Sequence, residues 1–118
     1  MADNERAKRG DDIRKKLFKT PPAPSETFAR LNEVTVEHLF GDIWTRPGLA
    51  LRDRSLITCA VLTALYRTDE LKGHLARAVD NGVTKDELAE MITHVTFYSG
   101  WPTGVNASKV ATEVFGKG

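Results

Sequence analysis

The sequence predicts an all-α protein of about six helices. Three observations carry that expectation. Apolar residues recur at three- and four-residue intervals along most of the 118-residue chain. No stretch alternates apolar and polar residues for long enough to demand a strand. Helix caps and breakers divide the periodic stretches into pieces of ordinary helix length.

The elements follow in order. Ile13 and Leu17, four apart and ringed by charge, mark an N-terminal amphipathic helix. Pro21, Pro22 and Pro24 end it and form a stiff extended linker, so residues 1–24 read as a helical arm and proline-rich linker within one domain spanning 1–118. Ser25 is placed to cap a second helix that carries Phe28, Leu31, Val34 and Leu39 to about Phe40, where Gly41 ends it. Residues 41–51 hold two glycines and a proline and read as an ordered loop. Asp53 is the expected cap of a third helix running to about Tyr66, apolar almost all round. A helix of that kind needs cover on most sides, which predicts a homo-oligomer built around residues 52–66. Thr68 or Asp69 caps a fourth helix with Leu71, Leu75, Ala78 and Val79 on one face, stopped at Asn81-Gly82. Thr84 and Glu87 have capping-box spacing for a fifth, with Leu88, Met91, Ile92 and Val95 inward. Gly100, Pro102 and Gly104 interrupt the chain before a last helix with Val110, Val114 and Phe115.

Composition excludes several function classes. Cys59 is the single cysteine, so an intrachain disulfide, a CxxC redox pair and a cysteine-based zinc site are ruled out. No apolar run approaches the roughly 18 residues of a membrane span, and the charged start lacks a signal-peptide core, which points to a cytoplasmic protein. The formal net charge is +1, but residues 1–20 carry seven basic and four acidic side chains. With Phe18 the single aromatic residue among those charges and the acidic side chains offsetting them, a solvated helix face explains them better than contact with nucleic acid. The glycines form no phosphate-binding pattern, and neither the histidines nor Cys59 has metal-ligand spacing.

Chemistry is carried by few residues. Glu70 and His74, four apart, share one helix face, where a carboxylate can orient an imidazole for proton transfer. A plain surface pair has the same spacing. Arg46 follows Trp44 in the Pro-Gly loop, and Arg52 and Arg54 flank Asp53; a guanidinium in such a place suits an acidic substrate or an intersubunit ion pair. His38 lies near the end of the second helix, and His94 between Met91 and Val95 fits a packed core position equally well.

The run Gly41-Asp42-Ile43-Trp44-Thr45-Arg46-Pro47-Gly48-Leu49, followed by Arg54-Ser55-Leu56-Ile57-Thr58, resembles the carboxymuconolactone decarboxylases. The likeness continues in Glu70-Leu71-Lys72-Gly73-His74-Leu75, in Ala78 to Thr84, in Gly100-Trp101-Pro102 with Asn106-Ala107, and in Arg9-Gly10 with Ile13-Arg14. The resemblance implies a helical fold shared with the alkylhydroperoxidase D-like proteins, assembled as trimers or hexamers with active sites near subunit contacts. Those relatives reduce peroxides through a CxxCxxxH motif. His74 matches its histidine, but Arg67 and Glu70 stand at the cysteine positions, which excludes that route.

The implied reaction is decarboxylation of 4-carboxymuconolactone to the enol-lactone of 3-oxoadipate in protocatechuate breakdown, without a cofactor or metal. The family pattern would make His74 the general acid, oriented by Glu70, with His38 a second candidate for proton transfer or for holding the oxyanion. Arg46 and Arg54 would bind substrate anions, and Trp44, Tyr98 and Trp101 would line the pocket. Trp101 departs from the smaller aliphatic residue more usual there, which bears on pocket shape. Two other readings stand beside this one: a decarboxylase or isomerase of a different lactone or keto acid, and a non-catalytic oligomeric binding protein.

Overall fold

The computed structural model describes residues 2–18 and 26–116, and among them every regular element is a helix. The proline linker and the Ser25 cap lie outside the described residues. The chain divides into two compact units, Met1–Leu49 and Ala50–Gly118. Among the described residues, no helix is long and apolar enough to cross a membrane.

The N-terminal unit holds α1 (Ala2–Leu17) and α2 (Ala29–Val34), which runs on as a π-helix over Thr35–Ile43. Two glycines allow α1 and the π-helix to touch backbone to backbone. A Cβ on Gly10 would strike the Val36 carbonyl, and one on Gly41 would strike the carbonyl of Arg6. Arg9 Nε adds a hydrogen bond to the Gly41 carbonyl at 3.3 Å. Leu17, Phe40 and Trp44 are buried here, with Phe40 edge-on to Phe18 at 6.1 Å and 6.2 Å from Trp44.

The helix does not end at Gly41, contrary to expectation. It widens instead, and Trp44 N–H bonds to the Leu39 carbonyl five residues back at 2.9 Å. Gly41 is kept for the close approach of α1, not to break the chain, so the loop shrinks to residues 44–50. Extended π-helices are rare and often sit at functional segments.

The C-terminal unit packs α3 (Leu51–Ala64), α4 (Thr68–Asp80), α5 (Lys85–Ser99) and α6 (Trp101–Phe115). Its core joins Cys59 from α3, Leu71, Leu75 and Ala78 from α4, Val83, Leu88 and Ile92 around α5, and Ala107 and Val110 from α6. Asp53 is not the cap of α3. The extended residue Ala50 holds that place, and Asp53 sits in the first turn, where its charge favours the positive end of the helix. Likewise α4 starts at Thr68 after Arg67, and neither Thr68 nor Asp69 caps it. Its end is as expected: Asn81 closes the helix, Gly82 turns the chain at φ 104°, and Asn81 Nδ2 donates to the buried Ser55 Oγ at 2.9 Å.

The capping box of α5 is complete. Glu87 N–H donates to Thr84 Oγ1 at 3.0 Å, and Thr84 N–H to Glu87 Oε1 at 2.9 Å. The other Glu87 oxygen takes an ion pair from Arg52 and so ties α3 to α5. Gly104 does not break the last helix either. It lies inside α6 against Thr96, where a Cβ would collide with the threonine side chain and force α6 away from α5.

Candidate active site

His74 is the one histidine set into a helix packing face of the C-terminal unit. It precedes Leu75, which is wholly buried, and its own side chain is half-buried. Withdrawal from water pushes the imidazole below its ordinary value of 6.5. The positive charge of Arg77 pushes the same way, and the charge of Glu70 opposes both. Glu70 is exposed, so its oxygens reach solvent while its charge is felt by the ring. An exposed surface pair would not feel the burial that dominates here.

Arg54 is half-buried in the first turn of α3, and the carbonyl of Arg54 accepts a hydrogen bond from Thr58 Oγ1 at 2.8 Å. The Ser55–Asn81 bond pins that turn of α3 to the end of α4, which brings Arg54 and the last turns of α4 into one neighbourhood. Arg52 is committed elsewhere, to Glu87 and to Asp53 Oδ1 at 3.2 Å. These partners favour its cationic form, the Glu87 hydrogen bond foremost. Glu87 is held below the ordinary carboxylate range, first by the Thr84 backbone N–H and then by Arg52.

The aromatic candidates lie at the surface of this unit. Tyr98 is 83% exposed and its ring is 5.2 Å from that of His94. Trp101 is 61% exposed, edge-on to Phe97 at 5.3 Å, and borders a hollow of about 360 Å³ with Tyr66 and Lys109. His94 is not a core residue. It is exposed on α5, where it borders both an acidic groove of about 540 Å³ with Asp86 and Glu90 and an apolar one of about 400 Å³ with Val61 and Tyr98.

His38, Trp44 and Arg46 belong to the N-terminal unit. His38 is exposed on the π-helix with Nε2 3.7 Å from Glu37 Oε2, and Arg46 is exposed 3.8 Å from Asp42 Oδ1. Trp44 is buried in that unit's core. Cys59 is fully buried, and burial pushes its thiol up to about 12, so it packs as a small apolar group. Among the described residues, no group of three or more His, Cys, Asp or Glu side chains is placed to hold a metal ion.

Arg77 escaped the sequence reading. It stands three residues after His74, the same helical-neighbour rule that paired Glu70 with His74, yet a lone arginine late in a helix reads as an ordinary dipole partner. In all, α4 offers an imidazole that is partly dry, a carboxylate at the water side one turn before it, and the Arg77 cation one turn after it. That arrangement suits moving a proton next to an anion.

Comparison with known proteins follows the same lines. Residues 29–113 match the carboxymuconolactone decarboxylase family. The chain is 39% identical over 122 residues to the 4-carboxymuconolactone decarboxylase of Acinetobacter baylyi, covering 98% of this chain and 90% of that one. It is 36% identical over 75 residues to the nitrosuccinic acid decarboxylase of Metarhizium robertsii, covering 64% of this chain and 52% of that one. An uncharacterised protein of Paracoccus denitrificans shares 29% identity over 82 residues, covering 68% of this chain and 61% of that one.

Proposed function

The chain belongs to the carboxymuconolactone decarboxylase family, and from that premise we propose that this carboxy-lyase converts 4-carboxymuconolactone to the enol-lactone of 3-oxoadipate. The observation that carries the substrate is the 39% identity extending over 98% of the chain.

The chemistry fits the side chains present. The ring carbon that loses CO₂ is conjugated through a double bond to the lactone carbonyl. As the C–C bond breaks, its electron pair moves into the ring and onto the carbonyl oxygen, which becomes a dienolate. A proton delivered to the carbon beside that carbonyl gives the product lactone. The substrate is its own electron sink, so the protein's tasks are anion docking, oxyanion stabilisation and one proton transfer. His74 delivers the proton, Glu70 sets its orientation and basicity, and Arg54 stabilises substrate negative charge. By their match to the family pattern alone, His38 and Arg46 take the parts of second proton carrier and anion ligand, with Trp44, Tyr98 and Trp101 as shape-setting aromatics.

Purified protein mixed with 4-carboxymuconolactone should release one CO₂ per substrate consumed, seen by coupled detection of bicarbonate. Intact substrate after prolonged incubation with folded protein would defeat the assignment. A second acid has support of its own. Nitrosuccinic acid also pairs a departing carboxylate with an electron-withdrawing sink and keeps a second carboxylate, so the same assay run with that acid separates the two readings.

Assembly belongs to the proposal. From Leu56 in α3 to Tyr66 just past its end the chain carries no charged side chain, and Ile57, Val61 and Leu65, spaced four apart, are all exposed, Val61 at 47%. An uncharged face three turns long is self-complementary to a second copy. We expect a homotrimer or homohexamer by light scattering at micromolar concentration, and Val61→Asp should shift it toward monomer. A wild-type monomer would contradict the assembly, as would an unchanged oligomer in the variant.

A further inference from the structure

The side chain of Arg77 is only 17% exposed, unusually dry for a guanidinium near the end of a helix. It lies one turn beyond His74 on α4, close enough for its charge to act on the imidazole. The Ser55–Asn81 hydrogen bond holds the start of α3, with Arg54, against the end of this same helix. Asp80 approaches Arg77 Nη1 at 3.8 Å from the helix terminus and is itself half open to water. A cation kept in this setting acts more strongly on a nearby anion than one in bulk solvent.

We propose that Arg77 is the residue that binds the retained carboxylate of a two-carboxylate substrate, placing the reacting ring beside His74. The inference rests on the decarboxylase reading above and narrows it to diacids. The division of labour follows from charge. The carboxylate that departs as CO₂ loses its charge in the transition state, so an arginine clamped on it would favour the ground state. The other carboxylate is charged throughout, and there a two-pronged guanidinium holds position without opposing the reaction. Arg54, on the neighbouring turn of α3, is then left for the oxygen where charge develops. The two acids named for the relatives, carboxymuconolactone and nitrosuccinic acid, share this pattern of one carboxylate lost and one kept.

The test uses the full chain, Arg77→Gln and Arg77→Lys, with 4-carboxymuconolactone and its methyl ester at the carboxymethyl group. Arg77→Gln should raise KM about 10- to 100-fold, with kcat changed far less. Arg77→Lys, which keeps the charge but loses the fork, should fall between. A purely structural role would not alter discrimination between diacid and ester. Wild type should prefer the diacid, and Arg77→Gln should lose that preference. A variant with wild-type KM and the wild-type diacid-to-ester ratio overturns the proposal. Should Arg77→Gln fail to fold by circular dichroism, the same two quantities in Arg77→Lys decide. If wild type does not turn over the diacid, the substrate reading has failed, and calorimetry with 4-carboxymuconolactone decides Arg77 separately. Binding lost in Arg77→Gln supports it; equal binding, or none to wild type, overturns it.

Discussion

Replacing His74 with glutamine should lower kcat by about 10²- to 10⁴-fold, the usual contribution of a placed proton donor, while leaving the fold intact. Glutamine fills similar space and keeps a hydrogen-bond donor, but it cannot hand over a proton to carbon. The pH dependence gives a sharper signature. Burial and the charge of Arg77 keep the free imidazole below 6.5, so its acid form declines as pH rises through a midpoint on the acid side of that value. The kcat/KM of the wild type should therefore fall with rising pH from such a midpoint, and this limb should vanish in His74→Gln. Stability moves the other way. The unfolded histidine binds a proton more readily than the folded one, so stability is lost as pH falls from 6.5 through the lower folded value. Urea midpoints at pH 7.5 and pH 5 should converge in the glutamine variant relative to wild type. Unchanged turnover with an unchanged pH profile would remove His74 from the mechanism.

Leu75→Ala should cost about 2–5 kcal/mol, the range for emptying a leucine-sized site in a packed core. Leu75 is 0% exposed and lies in the same cluster as Leu71, Ala78, Val83 and Leu88. Total stability of a domain this size is about 5–15 kcal/mol, so the change threatens the folded state itself. Because residue 75 also fixes the backbone under His74, residual activity should fall with the loss of structure. Chemical denaturation read by circular dichroism gives the value. A loss under about 1 kcal/mol would mean that α4 is not the packed centre of its unit.

How much of this the sequence revealed depends on which physical signal each feature leaves. The capping box at Thr84 and Glu87, the Asn81-Gly82 stop and the apolar stripes of α4 and α5 are local, and each is present as expected. Glycine misled twice. Gly41 and Gly104 look like breakers, but each sits inside a helix where another segment leaves no room for a Cβ, and such contact is invisible along one chain. The π-helix escapes for a related reason, since its five-residue bonding leaves no mark in a pattern judged at three and four. At the candidate site, spacing found Glu70 and His74 and motif position found Arg54. Arg77 needed its burial to stand out, and His94 needed its exposure to leave the core.

In the proposed reaction CO₂ leaves 4-carboxymuconolactone with the lactone as electron sink and His74 as proton donor. Running the reaction in D₂O and examining the product by NMR tests both halves together. The expected result is one CO₂ per turnover and one deuteron at the carbon beside the lactone carbonyl, on a single face, with the yield collapsing in His74→Gln. Unconsumed substrate, or deuteration equally distributed over both faces and indifferent to His74, would contradict it.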